Sequence, residues 1–292
     1  MLFFPNAKIN LGLRILRRRP DGYHDIASLM LPVDWCDILE MTPAQGEGSF
    51  RQTGTALDCP PDKNLVLKAI KAVEKHIGHN LPPLDIILEK HIPFGAGLGG
   101  GSADAAFAIM GANLIFGLGL DDDTMARIAA TVGADCAFFI YDRPMEAAGI
   151  GDVLRPVDCS ALSGCGILIA KPESESVSTA AAYAGVTPAE LAGGVSPADA
   201  LSFDINTWKD NELLRNDFET SIFALRPEIA AVRTRMAEAG AFYSSMSGSG
   251  ASVFGFFDNV DSARKAAALF PDCAVHAGDA LPTNVLPPQS LL

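Results

Sequence analysis

Pro93-Phe94-Gly95-Ala96-Gly97-Leu98-Gly99-Gly100-Gly101-Ser102-Ala103 is the stretch on which the reading of this chain turns. Five glycines fall between positions 95 and 101, and an alanine-rich apolar run follows at once. Glycine lacks a Cβ, so its backbone N–H groups can face a ligand closely. The run that follows predicts a helix, whose first turn carries free N–H donors and a partial positive charge. Together these make a cradle for a phosphate anion.

Loops of this kind have several owners. A Walker P-loop needs a lysine just before its Ser/Thr to reach the β/γ-phosphates, and Gly101 stands in that place. Gly95-x-Gly97-x-x-Gly100 has the spacing of the dinucleotide fingerprint, with Asp121 about 20 residues on. That fingerprint needs a strand ending at the acid, whereas 103–116 reads as helix and Asp121 opens another helix. The His91-Ile92-Pro93 break also spoils the required tight turn from strand to loop. A protein-kinase loop needs a following strand with its own lysine and later HRD and DFG motifs; the sequence has none.

The chain has 292 residues, 49% of them apolar and 20% charged, enough for one large domain or two ordinary ones. A formal net charge of −13 argues against nucleic acid as a main partner. It leaves room for a local cationic site for an anionic small molecule. Cys36, Cys59, Cys136, Cys159, Cys165 and Cys273 form no CxxC pair and no zinc spacing, so they read as reduced, packed thiols. Arg17–Arg19 follow the first apolar stretch, the wrong order for a signal peptide. No uncharged run reaches the ~18 residues that a bilayer span requires. The expectation is a soluble, cytoplasmic protein without a membrane partner.

Along the chain, Asn6–Leu16 reads as a strand, broken by the Asp21-Gly22 turn. Ile26–Met41 reads as further strand, with Pro32 at an edge or bulge. Residues 43–61 read as loop with one short strand. Leu65, Val66, Ala69, Ile70, Val73 and Ile77 place a helix over 63–77. A strand at 84–89 leads into the glycine loop, and Ser102 is placed as the cap of the helix reaching Phe116. Asp121–Thr124 open a helix that ends at Gly133, and Cys136–Tyr141 reads as a buried strand. In the second half, strands are expected at 167–170, 251–257 and 274–276, and helices at 228–239 and 262–270. Residues 174–200 read as small helices joined by loops. Strands and helices mix without regular alternation, which is α+β rather than a wound parallel sheet. The expected domains are 1–150 and 151–292.

The loop, written P-x-x-x-G-L-G-G-G-S, resembles the phosphate loop of the GHMP kinase superfamily, and Ser247-Gly248-Ser249-Gly250 resembles its second glycine loop. The resemblance implies a two-domain fold: an N-terminal domain like ribosomal protein S5 domain 2 and a ferredoxin-like C-terminal domain. Pro5-Asn6-Ala7-Lys8-Ile9-Asn10, Arg19-Pro20-Asp21-Gly22-Tyr23-His24 and Gly133-Ala134-Asp135 narrow it. They resemble the branch that acts on a cytidine-diphosphate-linked methylerythritol in the non-mevalonate isoprenoid pathway. There the γ-phosphate of ATP passes to a 2-hydroxyl. Two departures stand out: Ala96 replaces a common glycine, and Ala137 stands where proline is common two residues after the aspartate.

The resemblance assigns roles residue by residue. Asp135 would be the base that takes the hydroxyl proton; local sequence alone also allows a plain turn aspartate. Lys8 lies in an apolar strand, where an inward ammonium needs an anionic partner. By pattern it could equally face outward from an edge; by resemblance it orients Asp135 and stabilises the transferring phosphoryl group. Pro93–Ala103 and Asn64 would bind ATP, though Asn64 is also a natural helix cap. Asn10 shares a strand face with Lys8 by period-2 geometry and would bind substrate. Tyr23 and His24 would hold the cytosine, Tyr183 would close its other face, and Thr179 would contact the substrate. Arg17–Arg19 could attract the diphosphate or form a solvated cluster. Magnesium is implied with ATP, its protein ligands unknown. The sequence leaves the oligomeric state between a monomer and a weak homodimer.

Overall fold

The computed structural model describes residues 1–55, 63–186, 188 and 196–281. Cys59, residues 56–61 of the expected loop, and residues 187 and 189–195 of the expected small-residue region lie outside the described residues.

One four-stranded sheet holds β1 (Leu2–Phe3), β4 (Ile38–Pro43), β6 (Leu84–Lys90) and β5 (Ser49–Gly54), in the order β1-β4-β6-β5. Helices α1 (Leu65–Ile77), α2 (Gly100–Phe116), α3 (Asp122–Ala130) and α4 (Cys136–Tyr141) belong to the same hydrophobic core. Leu39, Met41, Ile86 and Leu88 of the sheet meet Val66, Ala69, Val73, Ala105 and Ile109 there. Helix α2 is buried along most of its length, as its all-round apolar sequence demands.

Three local expectations need correcting. Ser102 does not cap α2: the helix starts at Gly100, with Gly99 at the cap in left-handed backbone and no side-chain capping bond. Glycine reaches φ 72° without a steric penalty, so the chain turns into the helix before Ser102. Cys136–Tyr141 is helix α4, not a strand. A six-residue apolar run buried all round has no period to read, and helix and strand look alike in it. The strand expected from Ala251 begins at Val253, because Ala251 and Ser252 turn back to bond Gly95 and Ala96.

A second sheet has the order β2 (Asn6–Arg18), β3 (His24–Cys36), β7 (Met145–Ala148), β8 (Val153–Pro156). Strand β8 lies past residue 150 yet pairs with β7, so this sheet runs beyond the expected domain division. Pro32 lies opposite Lys8, past the stretch where β3 also bonds β7, so its missing N–H takes nothing from the ladder on that side.

The third sheet has the order β10 (Tyr243–Met246), β11 (Val253–Phe257), β9 (Gly166–Pro172), β12 (Cys273–Asp279), all antiparallel. With α5 (Thr179–Ala184), α6 (Glu219–Leu225) and α7 (Pro227–Glu238) after β9, and α8 (Val260–Ala267) after β11, this is the β-α-β-β-α-β pattern of a ferredoxin-like domain. Alternation along its strands joins the halves. Ile167, Ile169, Phe254 and Phe256 face the second sheet and meet Ile9, Leu11, Leu29 and Leu31. Leu168, Ala170, Val253 and Phe257 face the helices and meet Ile229, Val232 and Met236. Ala7, Ile9 and Leu11 of β2 are thus committed to that core, and Lys8 and Asn10 take its opposite face.

Candidate active site

A cavity of about 1300 Å³ lies between the two halves, bordered by β2, the glycine loop, the start of α4 and the second glycine loop. It is roomy enough for two ligands side by side, since a drug-sized pocket takes about 300–1,000 Å³.

In the first loop, Gly95, Gly97 and Gly99 have φ of 61°, 73° and 72°. Ala96 and Leu98 between them point into the core and are buried. Left-handed backbone at every second residue turns successive N–H groups to one side, an anion-binding concavity. Ala96 needs no positive φ, so its departure from the common glycine is absorbed. The loop is fixed at both ends. Leu98 O accepts from Lys8 N at 2.9 Å, while Gly95 O and Ala96 O accept from Ala251 N and Ser252 N at 3.1 Å each. Gly97 admits no side chain: a Cβ there would stand 2.0 Å from Ser247 O.

Lys8 Nζ lies 3.1 Å from Asp135 Oδ2 and donates to Asn10 Oδ1 at 2.5 Å. The Lys8 side chain is 4% exposed and that of Asp135 32%, so the ammonium is buried and the carboxylate opens to the cavity. Asp135 stands at the N-cap of α4 but makes no side-chain capping bond, which leaves its carboxylate free of the helix. Ala137 sits in the first turn of α4, where proline also fits. Asn10 Nδ2 donates to Ser28 Oγ at 2.9 Å, and Asn10 N donates to Ser247 Oγ at 3.3 Å.

Asn64 caps α1 through Val66 N at 2.9 Å and donates to Gln52 Oε1 at 3.0 Å while bordering the cavity. Pro93–Ser102 border it too, but Ala103 and Ser247 are buried behind the two loops. Gly248, Ser249 and Gly250 reach the cavity, and Thr179 Oγ1 lies 3.2 Å from Ser249 Oγ.

The aromatic residues gather at one end. His24 and Tyr183 stack directly, ring centroids 4.8 Å apart and planes at 17°. Tyr183 therefore backs His24, and the expected slot against its face is covered by the imidazole. Phe218 supports Tyr183 edge-on at 4.9 Å. Burial, and then the negative charge of Asp135, push the Tyr183 phenol up to about 12. Tyr23 is 60% exposed at the turn. Arg17 pairs with Asp25, and Arg19 with Asp21 and Asp25, so this cluster is largely neutralised; Arg18 borders the cavity.

Sequence reasoning missed a buried triad beneath the loop. Lys90 Nζ pairs with Asp37 and, at 2.5 Å, with Asp104. Asp37 Oδ1 also accepts from His91 N and Ile92 N at 2.6 and 2.8 Å, holding the entry to the loop. Burial, against the pull of Lys90, pushes the Asp104 carboxyl up to about 7. The signal was present: Leu84, Ile86, Leu88 and Lys90 share the buried face of β6, so the lysine had to find an anion. Cys136 is a packed thiol, pushed up to about 12 chiefly by burial. Among the described residues no three His, Cys, Asp or Glu side chains gather to hold a metal ion.

The fold is that of a GHMP kinase: residues 64–143 match the family "GHMP kinases N terminal domain" and residues 199–272 match "GHMP kinases C terminal". The 4-diphosphocytidyl-2-C-methyl-D-erythritol kinase of Parabacteroides distasonis is 45% identical over 278 residues, 95% of this chain and 99% of that protein. That of Porphyromonas gingivalis is 40% identical over 274 residues, 94% of this chain and 97% of that protein. A crystal structure of a 4-(cytidine 5'-diphospho)-2C-methyl-D-erythritol kinase superposes with TM-score 0.76 at 31% identity, over 95% of this chain and 98% of that one. The chain belongs to the GHMP kinases and, within them, to the family of 4-diphosphocytidyl-2-C-methyl-D-erythritol kinases.

Proposed function

We propose that this chain transfers the γ-phosphate of ATP to the 2-hydroxyl of 4-diphosphocytidyl-2-C-methyl-D-erythritol, in the cytoplasm and within the non-mevalonate isoprenoid pathway. The observation that carries the mechanism is the Lys8–Asp135 pair, 3.1 Å apart and bordering one cavity with the glycine loop and the aromatic group. Relatives at 40–45% identity that bear this kinase's name support the choice of acceptor.

Phosphoryl transfer depends on positioning and charge stabilisation more than on covalent help. The loop N–H groups and the N-terminus of α2 hold the triphosphate. Asp135 accepts the hydroxyl proton as the acceptor oxygen attacks. Lys8 keeps that carboxylate oriented and offsets negative charge on the transferring group. Asn10 fixes the Lys8 ammonium and offers its amide face to substrate. Asn64 flanks the nucleoside of ATP. Tyr23 and His24 receive the cytosine, with Tyr183 stacked behind the His24 ring, and Thr179 and Ser249 lie along the path of the acceptor. A magnesium ion carried by ATP would neutralise phosphate charge. The site suits an ion held by phosphate oxygens and water, bordered by the Ser102 hydroxyl and the Asp135 carboxylate. The second glycine loop belongs to the C-terminal domain, so the cavity lies at the domain junction.

A coupled ADP-release assay tests the reading, with the cytidine-diphospho acceptor beside mevalonate, homoserine and galactose. Turnover of the cytidine compound alone is expected. Strong turnover of a rival alcohol, with none of the cytidine compound, would assign the chain to another small-molecule GHMP activity. ATP binding without turnover of any acceptor would make it a non-catalytic nucleotide-binding protein on the same fold.

A further inference from the structure

Asn216 lies just before α6, fully buried and outside the groups assigned above. Its Nδ2 donates to Met246 O at 2.7 Å and to Gly248 O at 2.8 Å, and its Oδ1 accepts from Phe218 N at 3.0 Å. This orientation pairs the whole amide; the flipped one would set oxygen against two carbonyl oxygens. The two carbonyls flank Ser247. The Ser247 hydroxyl accepts from Asn10 N at 3.3 Å and donates to Gly97 O at 2.9 Å.

The neighbouring side chains act on the same parts. Asp217 accepts from Arg14 Nε at 3.1 Å and from Ile15 N at 2.8 Å, both on β2. Glu219 accepts from Met246 N at 2.8 Å and from Ser245 Oγ at 2.9 Å. Three side chains within four residues thus hold the strand that carries Lys8, the second glycine loop or the end of β10 that leads into that loop.

The two loops touch without slack. A Cβ on Gly97 would meet Ser247 O at 2.0 Å, and one on Gly248 would meet Gly97 O at 3.1 Å and Asn10 Oδ1 at 3.3 Å. Close-packed backbone transmits displacement rather than absorbing it. A shift of residues 246–248 therefore reaches the phosphate cradle and Asn10 together.

We propose that Asn216 is a positioning residue for phosphate transfer: acting through Ser247, it sets the glycine cradle in place against Lys8 and Asp135. The proposal rests on the assignment of the cavity as the kinase site.

Asn216→Asp is the sharpest test. It keeps the oxygen that accepts from Phe218 N, and with it the Phe218–Tyr183 support of the acceptor end. It replaces the two donors with an oxygen facing two carbonyls. Calorimetry of the full chain with a non-hydrolysable ATP analogue, and separately with CDP as acceptor probe, reads the two ends apart. The variant is expected to weaken the ATP analogue at least tenfold and lower kcat at least tenfold, with CDP affinity within threefold of wild type. Loss of folded protein alone would lower the stoichiometry and leave both affinities unchanged, and that result would overturn the proposal. Should the aspartate variant not fold, Asn216→Ser is read for the same loss of ATP-analogue affinity. Combining Asn216→Asp with Ser247→Ala should do no more harm than the worse single change; additive losses would remove Ser247 from the relay. A wild-type chain that does not bind the ATP analogue would overturn the kinase reading instead, so the two failures are distinct.

Discussion

Lys8 Nζ stands 3.1 Å from Asp135 Oδ2, a buried ammonium against a carboxylate that opens to the cavity. The strand β2 and the N-cap of α4 supply the two groups, and no local segment of the chain could bring them together. Asp135→Ala should lower kcat by roughly 10²–10⁴, the usual contribution of a positioned base. Its circular dichroism should stay that of a folded protein, because the carboxylate caps no helix, while its melting temperature should fall, because the buried Lys8 ammonium loses its anionic partner. Turnover near the normal rate would remove Asp135 from the chemistry. Lys8→Met should also depress kcat, with a smaller change in acceptor KM.

Gly97→Ala should cripple nucleotide binding. The new methyl would fall 2.0 Å from Ser247 O at a backbone φ of 73°. Neither the backbone oxygen nor the dihedral can yield cheaply, so the two loops must part. Binding of a non-hydrolysable ATP analogue, followed by calorimetry, should fall at least tenfold while CDP still binds.

His24→Ala and Tyr23→Ala should each raise the acceptor KM about tenfold, as expected for loss of one stacking surface of roughly 1–3 kcal/mol. The KM for ATP should stay within twofold. Equal losses on both substrates in steady-state kinetics would place these rings outside the acceptor site.

Asp142→Asn should stabilise the protein near neutral pH. Burial pushes the Asp142 carboxyl up to about 6, against a reference of 3.8, while Asn6 Nδ2 donates to it at 2.9 Å. Below about pH 4 the group is neutral in both states and costs nothing. Between pH 4 and 6 the unfolded chain ionises first, so folding loses stability as pH rises, and above 6 the loss is constant. Asparagine removes that loss, on the order of 3 kcal/mol, and its amide can donate to the unpartnered Asn6 Oδ1. It also suits the left-handed backbone at φ 44°. Thermal melts at pH 7.5 should show a gain of a few degrees that vanishes near pH 4.

Lys90→Met should destabilise strongly, by about 3–5 kcal/mol, because it strands Asp37 and Asp104 as two buried carboxylates. Lowering the pH neutralises a carboxylate that is already pushed up to about 7. Urea titrations should therefore find the variant's deficit smaller at pH 5.5 than at pH 8.

Much of the glycine-loop region was legible in the sequence. The glycine loop, the helix behind it and the capping aspartate at 121 each follow from local backbone chemistry, and Asp121 does accept from Thr124 N at 2.8 Å. The period-2 pattern of β2 put Lys8 and Asn10 on one face, and they bond at 2.5 Å. Local patterns failed where burial was uniform, as at α4, or where consecutive glycines offered more than one place to start a helix, as before Ser102. Asn216 and Phe218 gave no local signal, since an Asn-Asp-Phe-Glu run carries no period and no motif of its own.

By itself the sequence determined which residues were free to do chemistry. A lysine among apolar strand residues needs an anion, and glycines at alternate positions permit a backbone that other residues resist. Only the tertiary structure decided which anion and which neighbour. Lys8 found Asp135, Lys90 found Asp37 and Asp104, and Gly97 found Ser247. The physical reason is that propensity and periodicity act over a few residues, whereas a buried charge or a closed loop is satisfied by whatever the packed sheets bring within hydrogen-bond distance.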